Sequence, residues 1–167
     1  KKFSIDILKT IKSKPLSLEV FADDFEEMER QAIEISNWGK NVYVKIPITN
    51  TKAISSSKLI KKLSARGIKL NITAIMTTKQ VKEVIKNLNP KIKNFISVFA
   101  GRIADTGIDP LKTMSDSVRI LNKYKNFELI WASPRELLNI IQANNINCDI
   151  ITVTNDLLNK EKLLIYN

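Results

Sequence analysis

The sequence predicts an α/β fold of parallel strands flanked by helices, in units of the kind that close into a barrel. Three observations lead there. Short β-rich runs alternate with amphipathic helical patterns along the chain. Glu19, Lys45, Asn71 and Ser97 stand 26 residues apart in turn, the near-constant period that successive barrel units would give. Within the strand runs, one side-chain parity is almost wholly apolar and the other carries polar groups.

The elements follow in order. The chain starts inside a helical pattern, with Phe3, Ile7, Leu8 and Ile11 on one face. A first strand is expected at Leu16–Phe21. Asp23–Ser36 then carries Phe25, Met28, Ala32 and Ile35 at helical spacing, behind an Asp-Asp start suited to an N-cap. The second strand falls at Asn41–Ile46. Ser55–Ala65 repeats the helical spacing with Leu59, Ile60 and Leu63, and stops before Gly67. Lys69–Ile75 is the third strand, followed by a helix over Thr78–Leu88 that stops before Pro90. Asn94–Ala100 is the fourth strand. The step from Ser97 to Ser133 is longer, 36 residues, and the extra residues fall in Ile103–Asp109, expected to be a loop on the active face. Helices over Pro110–Lys123 and Pro134–Ala143 each begin with a proline, which suits a first turn. Phe127–Ser133 and Cys148–Val153 complete six strands.

A closed barrel of this type needs eight strands. Both ends look cut, so the chain is expected to be a fragment of a longer protein or an incomplete barrel that pairs with another chain. Open sheet edges would otherwise invite aggregation. The 167 residues, 44% hydrophobic, suffice for one core, and a single domain over 1–167 is expected.

Composition narrows the chemistry. There is no histidine, which excludes a Ser-His-Asp triad, a Cys-His pair and an imidazole metal site. Cys148 is the single cysteine, so neither an internal disulfide nor a cysteine zinc cluster can form, and a reducing cytoplasm fits. No apolar run reaches the roughly 18 residues of a membrane span, and the N-terminus lacks the apolar stretch of a signal peptide. Acid-base or nucleophilic work must fall to Lys, Asp, Glu, Tyr or water, and covalent lysine catalysis is on that short list. The net charge of +10 raises nucleic-acid binding. However, only five of the 27 basic residues are arginine, and the lysines lie at helical spacing, as in Lys58, Lys61, Lys62 and Lys79, Lys82, Lys86. That pattern reads as solvated helix faces. Neither nucleic acid nor membrane is the expected partner, while a positive field suits an anionic sugar phosphate.

Strand parity assembles a constellation. Ser17 and Glu19 share one face, opposite Leu16, Leu18 and Val20; Tyr43 and Lys45 face away from Val42, Val44 and Ile46. Asn71 and Thr73 oppose Leu70, Ile72 and Ala74; Ser97 and Phe99 oppose Ile96 and Val98; Trp131 and Ser133 are expected to oppose Ile130 and Ala132. The polar residues lie near C-terminal strand ends, where barrel enzymes keep their chemistry, and burying them without a use would be costly. Lys45 is the sharpest case, in Val42-Tyr43-Val44-Lys45-Ile46-Pro47. Inside a barrel its neutral amine is favoured and can attack a carbonyl to form an imine. Alternation alone fits a structural ion pair with Glu19 equally well.

Local motifs add a resemblance. Ser17-Leu18-Glu19-Val20, Val44-Lys45-Ile46-Pro47-Ile48-Thr49, Gly67-Ile68-Lys69-Leu70-Asn71-Ile72-Thr73-Ala74-Ile75, Phe95-Ile96-Ser97-Val98-Phe99-Ala100-Gly101-Arg102-Ile103 and Ala132-Ser133-Pro134-Arg135 occur in the order seen in the transaldolase family. They resemble its strands three to seven, over nearly the whole chain. The resemblance implies a class I aldolase-like (β/α)8 TIM barrel, with the first two β/α units and the last helix missing here. It implies that Lys45 is the Schiff-base lysine, and that Glu19 and Thr73 hold the water used in proton transfer. It further implies that Asn71, Ser97 and Phe99 face the ketose, and that Arg102, Ser133 and Arg135 bind phosphate.

The implied reaction transfers a dihydroxyacetone unit between sugar phosphates (fructose 6-phosphate, sedoheptulose 7-phosphate, glyceraldehyde 3-phosphate, erythrose 4-phosphate) in the pentose phosphate pathway. It requires no metal or organic cofactor, and a homo-oligomer is compatible with it. Glu19 and Phe99 are of the transaldolase type; fructose 6-phosphate aldolases resemble transaldolases but carry glutamine and tyrosine there. Three features depart from the pattern. Ala53 stands where many members have glycine, and Pro134 where an aromatic residue is common. The catalytic aspartate and Asn-Pro turn of the family's first two strands have no counterpart, so proton transfer is expected to be impaired in this chain alone.

Overall fold

The computed structural model describes residues 1–160. Its centre is one parallel sheet of six strands arranged in chain order: β1 (Leu16–Glu19), β2 (Val42–Pro47), β3 (Leu70–Ile75), β4 (Asn94–Val98), β5 (Phe127–Trp131) and β6 (Ile150–Ile151). The helices are α1 (Lys2–Thr10), α2 (Phe25–Ser36), α3 (Ser57–Ala65), α4 (Thr78–Asn87), α5 (Ala100–Asp105), α6 (Leu111–Leu121), α7 (Leu138–Asn145) and α8 (Asn155–Lys160). Six parallel strands with intervening helices form a half-barrel, the expected α/β architecture in part.

The local chemistry accounts for the main boundaries. Asp24 caps α2 by accepting from the backbone N–H groups of Glu26 and Glu27. Thr77 and Gln80 form a reciprocal capping box at α4. At the end of α3, Gly67 takes φ +80, and the bonds Gly67 N–H to Ser64 and Ile68 N–H to Leu63 close the turn, as the glycine stop required.

Several expectations are corrected. The segment Ile103–Asp109 is not all loop, because α5 occupies Ala100–Asp105 and begins immediately after β4. The fourth strand accordingly ends at Val98. The seventh helix starts at Leu138, so Pro134 does not open it; the side chain of Asn139 instead accepts from the N–H groups of Arg135 and Glu136 and closes a turn before the helix. The sixth strand is only two residues long, and a short helix, α8, follows it.

Between sheet and helices lies the main core. Val44, Ile46, Leu70, Ile72, Ile96, Val98 and Leu129 from the strands meet Met28, Ile60, Leu63, Val81, Val84 and Met114 from the helices, all buried. On the opposite face of the sheet is a small second cluster: Tyr43, Phe95, Ile130 and Ala132, with Phe99 and Ile150 against it. Tyr43 stacks on Phe95 with ring centres 4.2 Å apart.

That second cluster corrects the parity expected for the fifth strand. Ser97 pairs in register with Ile130, and Val98 with Trp131. Register partners in parallel strands point the same way, so Ile130 faces inward with Ser97 while Trp131 enters the outer core. An aromatic before a polar residue misled the pattern, because Ser133 reaches the inner side by another route. Its φ of +58 breaks the alternation.

Candidate active site

A cleft of about 510 Å³ opens at the C-terminal ends of the strands. Its wall includes Ser17, Lys45, Asn71, Thr73, Ser97, Phe99, Ser133 and Arg135, contributed by β1 through β5 and the loops after them. The inner apolar residues Ile130 and Ala132 also line it. A larger groove of about 610 Å³ lies among α2, α3 and α4, bounded by Phe25, Ile54, Leu59 and Glu83. It is on the outer helix layer, away from the strand ends, and within it Lys62 pairs with Glu29.

Lys45 is held by its strand partners on both sides, Glu19 of β1 and Asn71 of β3. Its Nζ lies 3.2 Å from a carboxylate oxygen of Glu19. The lysine side chain is 29% exposed and the glutamate 49%, so the pair sits where cleft meets solvent. Glu19 is at the edge of the sheet rather than in the cleft wall, and touches the site through Lys45. An amine attacks a carbonyl only once it has lost its proton, and Glu19 is the carboxylate beside it.

Next to the lysine runs a polar chain, buried at Ser97 and Asn71 and exposed at Ser17. Ser97 Oγ donates to Asn71 Oδ1 at 2.7 Å, and Asn71 Nδ2 donates to Ser17 Oγ at 2.9 Å. This fixes the amide of Asn71 across three strands. The hydroxyl of Thr73 is buried and has no hydrogen-bond partner among the described residues. A buried hydroxyl without a partner is costly to maintain, and Thr73 lines the cleft, where a bound molecule could satisfy it.

The far end of the cleft is basic. Ser133 and Arg135 line it. Gly101 explains how that loop is seated: a Cβ there would come within 1.5 Å of the Ser133 carbonyl oxygen, so only glycine lets α5 pack directly on the loop. Arg135 donates from Nε to Asp105 Oδ1 at 3.0 Å and from Nη2 to Oδ2 at 2.5 Å. Arg102 lies 3.5 Å from the same carboxylate, but is largely exposed and outside the cleft wall. The hydrogen bond from Arg135 holds the Asp105 carboxyl below the usual carboxylate range.

Of the residues picked out by sequence, the structure brings Lys45, Asn71, Thr73, Ser97, Phe99, Ser133 and Arg135 to one cleft, sets Glu19 against Lys45, and leaves Arg102 at the rim. Sequence reasoning missed Thr152, Val153 and Thr154, which close the cleft beyond β6, and passed over Ser17, which strand parity had already placed on the correct face. Asp105 and Asn139 were also missed, as they lie outside strands and no alternation could mark them.

Comparison with known proteins gives the family. Residues 2–163 match the family model described as transaldolase/fructose-6-phosphate aldolase. A probable transaldolase of Thermoanaerobacter sp. (strain X514) is 36% identical over 140 residues, 83% of this chain and 61% of the relative. A probable transaldolase of Methanococcus maripaludis (strain C7) is 33% identical over 147 residues, 87% and 65% of the two chains. One from Nitrosopumilus maritimus (strain SCM1) is 31% identical over 157 residues, 93% and 67%. The chain thus spans from 61% to 67% of the length of these relatives. A crystal structure of a GMP reductase variant from Trypanosoma brucei, in complex with guanosine 5'-monophosphate, superposes with a TM-score of 0.59 at 16% identity, over 86% of this chain and 30% of that one. At that identity the likeness concerns the fold alone.

Proposed function

The chain belongs to the transaldolase/fructose-6-phosphate aldolase family, and from that premise we propose that it moves a dihydroxyacetone unit from a ketose phosphate to an aldose phosphate through an imine on Lys45, as in the pentose phosphate pathway. The observation that carries this reading is the placement of Lys45. It is an amine in a strand-end cleft, beside a carboxylate 3.2 Å away and a fixed row of polar side chains.

In the proposed mechanism, the proton of the Lys45 ammonium leaves toward Glu19, and the amine attacks the ketone carbon. Glu19 returns that proton to the carbinolamine hydroxyl, and loss of water gives the iminium. The C3–C4 bond then breaks as the C4 hydroxyl passes its proton, through the water held by Glu19 and Thr73, to the Glu19 carboxylate; the bond's electrons are drawn into the iminium, and the aldose phosphate departs. The remaining three-carbon enamine attacks an acceptor aldehyde, and hydrolysis frees Lys45. Glu19 and Thr73 hold the water that moves protons; the unpartnered hydroxyl of Thr73 supports that role. Asn71 and Ser97 take the sugar hydroxyls, and Ser133 and Arg135, with Arg102 at the rim, take the phosphate by charge-assisted bonds.

Borohydride with fructose 6-phosphate should trap an adduct on Lys45, detected by mass, and Lys45→Met should abolish it while leaving the fold intact. A wild-type chain that gives no mass shift would sink the imine. Glu19 and Phe99 favour transfer over simple aldol cleavage, and release of free dihydroxyacetone without acceptor would instead indicate a fructose 6-phosphate aldolase. One observation favours a second reading, a sugar-phosphate-binding barrel without turnover: among the described residues, the cleft wall carries no carboxylate. Sugar binding without an adduct or product would select it.

A further inference from the structure

The arginine at the phosphate end of the cleft is held in an unusual way for a free ligand-binding group. Arg135 lines the cleft, but its partner Asp105 does not. The carboxylate therefore grips the guanidinium from outside the site. It takes the Nε and Nη2 edge, with bonds of 3.0 and 2.5 Å. A guanidinium has five N–H donors in a rigid fork. With that edge engaged, the Nη1 and Nη2 end retains donors for a second acceptor.

The backbone on either side of this pair is anchored, while the side chains themselves are 41% and 43% exposed. Asp105 ends α5, and α5 is seated on the Ser133 carbonyl through Gly101. The backbone N–H of Arg135 is itself bound by the buried Asn139 at 2.7 Å. Both the arginine and the aspartate are thus anchored before any anion arrives. Asp105 also collects Arg102 at 3.5 Å, which leaves two cations to one anion at this end.

We propose that Asp105 is a positioning residue for anion binding: it fixes Arg135 by one edge from behind the cleft wall, so that the other edge is presented to a phosphate group. This rests on the reading of Arg135 as a phosphate ligand, and it deepens that reading by naming what orients the ligand. Bare electrostatics makes the opposite prediction. A carboxylate next to an anion site repels the anion, so its removal alone would tighten binding.

The test is calorimetric titration of the chain with inorganic phosphate. Asp105→Asn should weaken phosphate binding by roughly tenfold or more, the scale of loss when a binding group is left unpositioned, although the variant carries one more positive charge. Arg135→Ala should weaken it comparably, and the double variant should bind no more weakly than Arg135→Ala alone. Tighter or unchanged binding in Asp105→Asn, additive losses in the double variant, or no phosphate binding by the wild type would each overturn the proposal. Trapping of dihydroxyacetone, which has no phosphate, on Lys45 should be the same in Asp105→Asn and wild type; loss of trapping in the variant alone would mean a general structural role and overturn it. If phosphate binding behaves as stated while no sugar traps on Lys45 in any variant, the imine reading falls and the role of Asp105 stands.

Discussion

The two faces of the one sheet are built from the same strands and obey different rules. On the outer face, Ile46, Leu70, Ile72, Ile96 and Leu129 are fully buried among helix side chains and carry no polar atom. On the inner face, Tyr43, Phe95, Ile130 and Ala132 make a small apolar cluster, and the buried polar groups Asn71, Thr73 and Ser97 share that side. Single strands hold both kinds of residue in alternation: Ile72 sits between Asn71 and Thr73. Packing against the helices holds the fold together, while the inner polar groups lower the stability that an apolar lining would give. The contrast separates a face that packs against the helices from a face that lines the cleft.

The strongest way to break this comparison is Ile72→Ala. It should destabilise the chain by roughly 2–5 kcal/mol, the cost of a buried large-to-small change with its cavity, as measured by denaturant unfolding. A loss well under 1 kcal/mol would mean that the outer face does not dominate stability. Gly101→Ala comes next, since the new methyl would collide with the Ser133 backbone. Overpacking of this kind costs roughly 1–3 kcal/mol, and because the displaced loop carries Arg135, phosphate affinity should fall as well. A variant with wild-type affinity would separate loop placement from anion binding. On the inner face the sign reverses. Thr73→Val removes a buried hydroxyl without a partner, and should raise stability by about 1 kcal/mol while lowering the rate of sugar transfer. Reduced stability together with retained transfer would show that Thr73 is structural. The smallest effect is Ala53→Gly. Ala53 has φ +58, a conformation that costs an L-residue roughly 1–2 kcal/mol and glycine little, but glycine loses about 0.5–1 kcal/mol in chain entropy. A net gain between nothing and about 1.5 kcal/mol in a melting experiment is expected, with no change at the cleft.

Most of the fold was legible because periodicity reports burial. The 26-residue interval found four strand positions that pair in register or lie on adjoining strands. Parity found Lys45, Asn71, Thr73 and Ser97. It failed at Trp131, where a residue in left-handed conformation, Ser133, carries a polar side chain into the cleft from the wrong parity. Alternation assumes extended backbone, so it cannot register such a break. α5 was hidden for a related reason: it starts directly after β4, and the longer step from Ser97 to Ser133 reads in the sequence as a loop. The Ala53 departure from the family pattern was visible in the sequence, but its cost was not, since that depends on a backbone angle. Arg102 and Arg135 looked equivalent as members of one phosphate group; only tertiary placement separates the one in the wall from the one at the rim.

The sheet's neighbours in space are also neighbours in the chain, β1 beside β2 and so on to β6. Each new strand emerging during synthesis therefore finds its partner already made, one βα unit earlier. The entropy of closing each connecting segment is nearly the same at every step, because it grows only slowly with segment length. Assembly can proceed stepwise along the chain, each strand adding beside the one before it. Parallel sheets fold slowly when distant segments must meet; here the order of pairing spares the nascent chain that wait. The lysine, carried by β2, is placed early, and the arginine that would receive phosphate arrives only after β5.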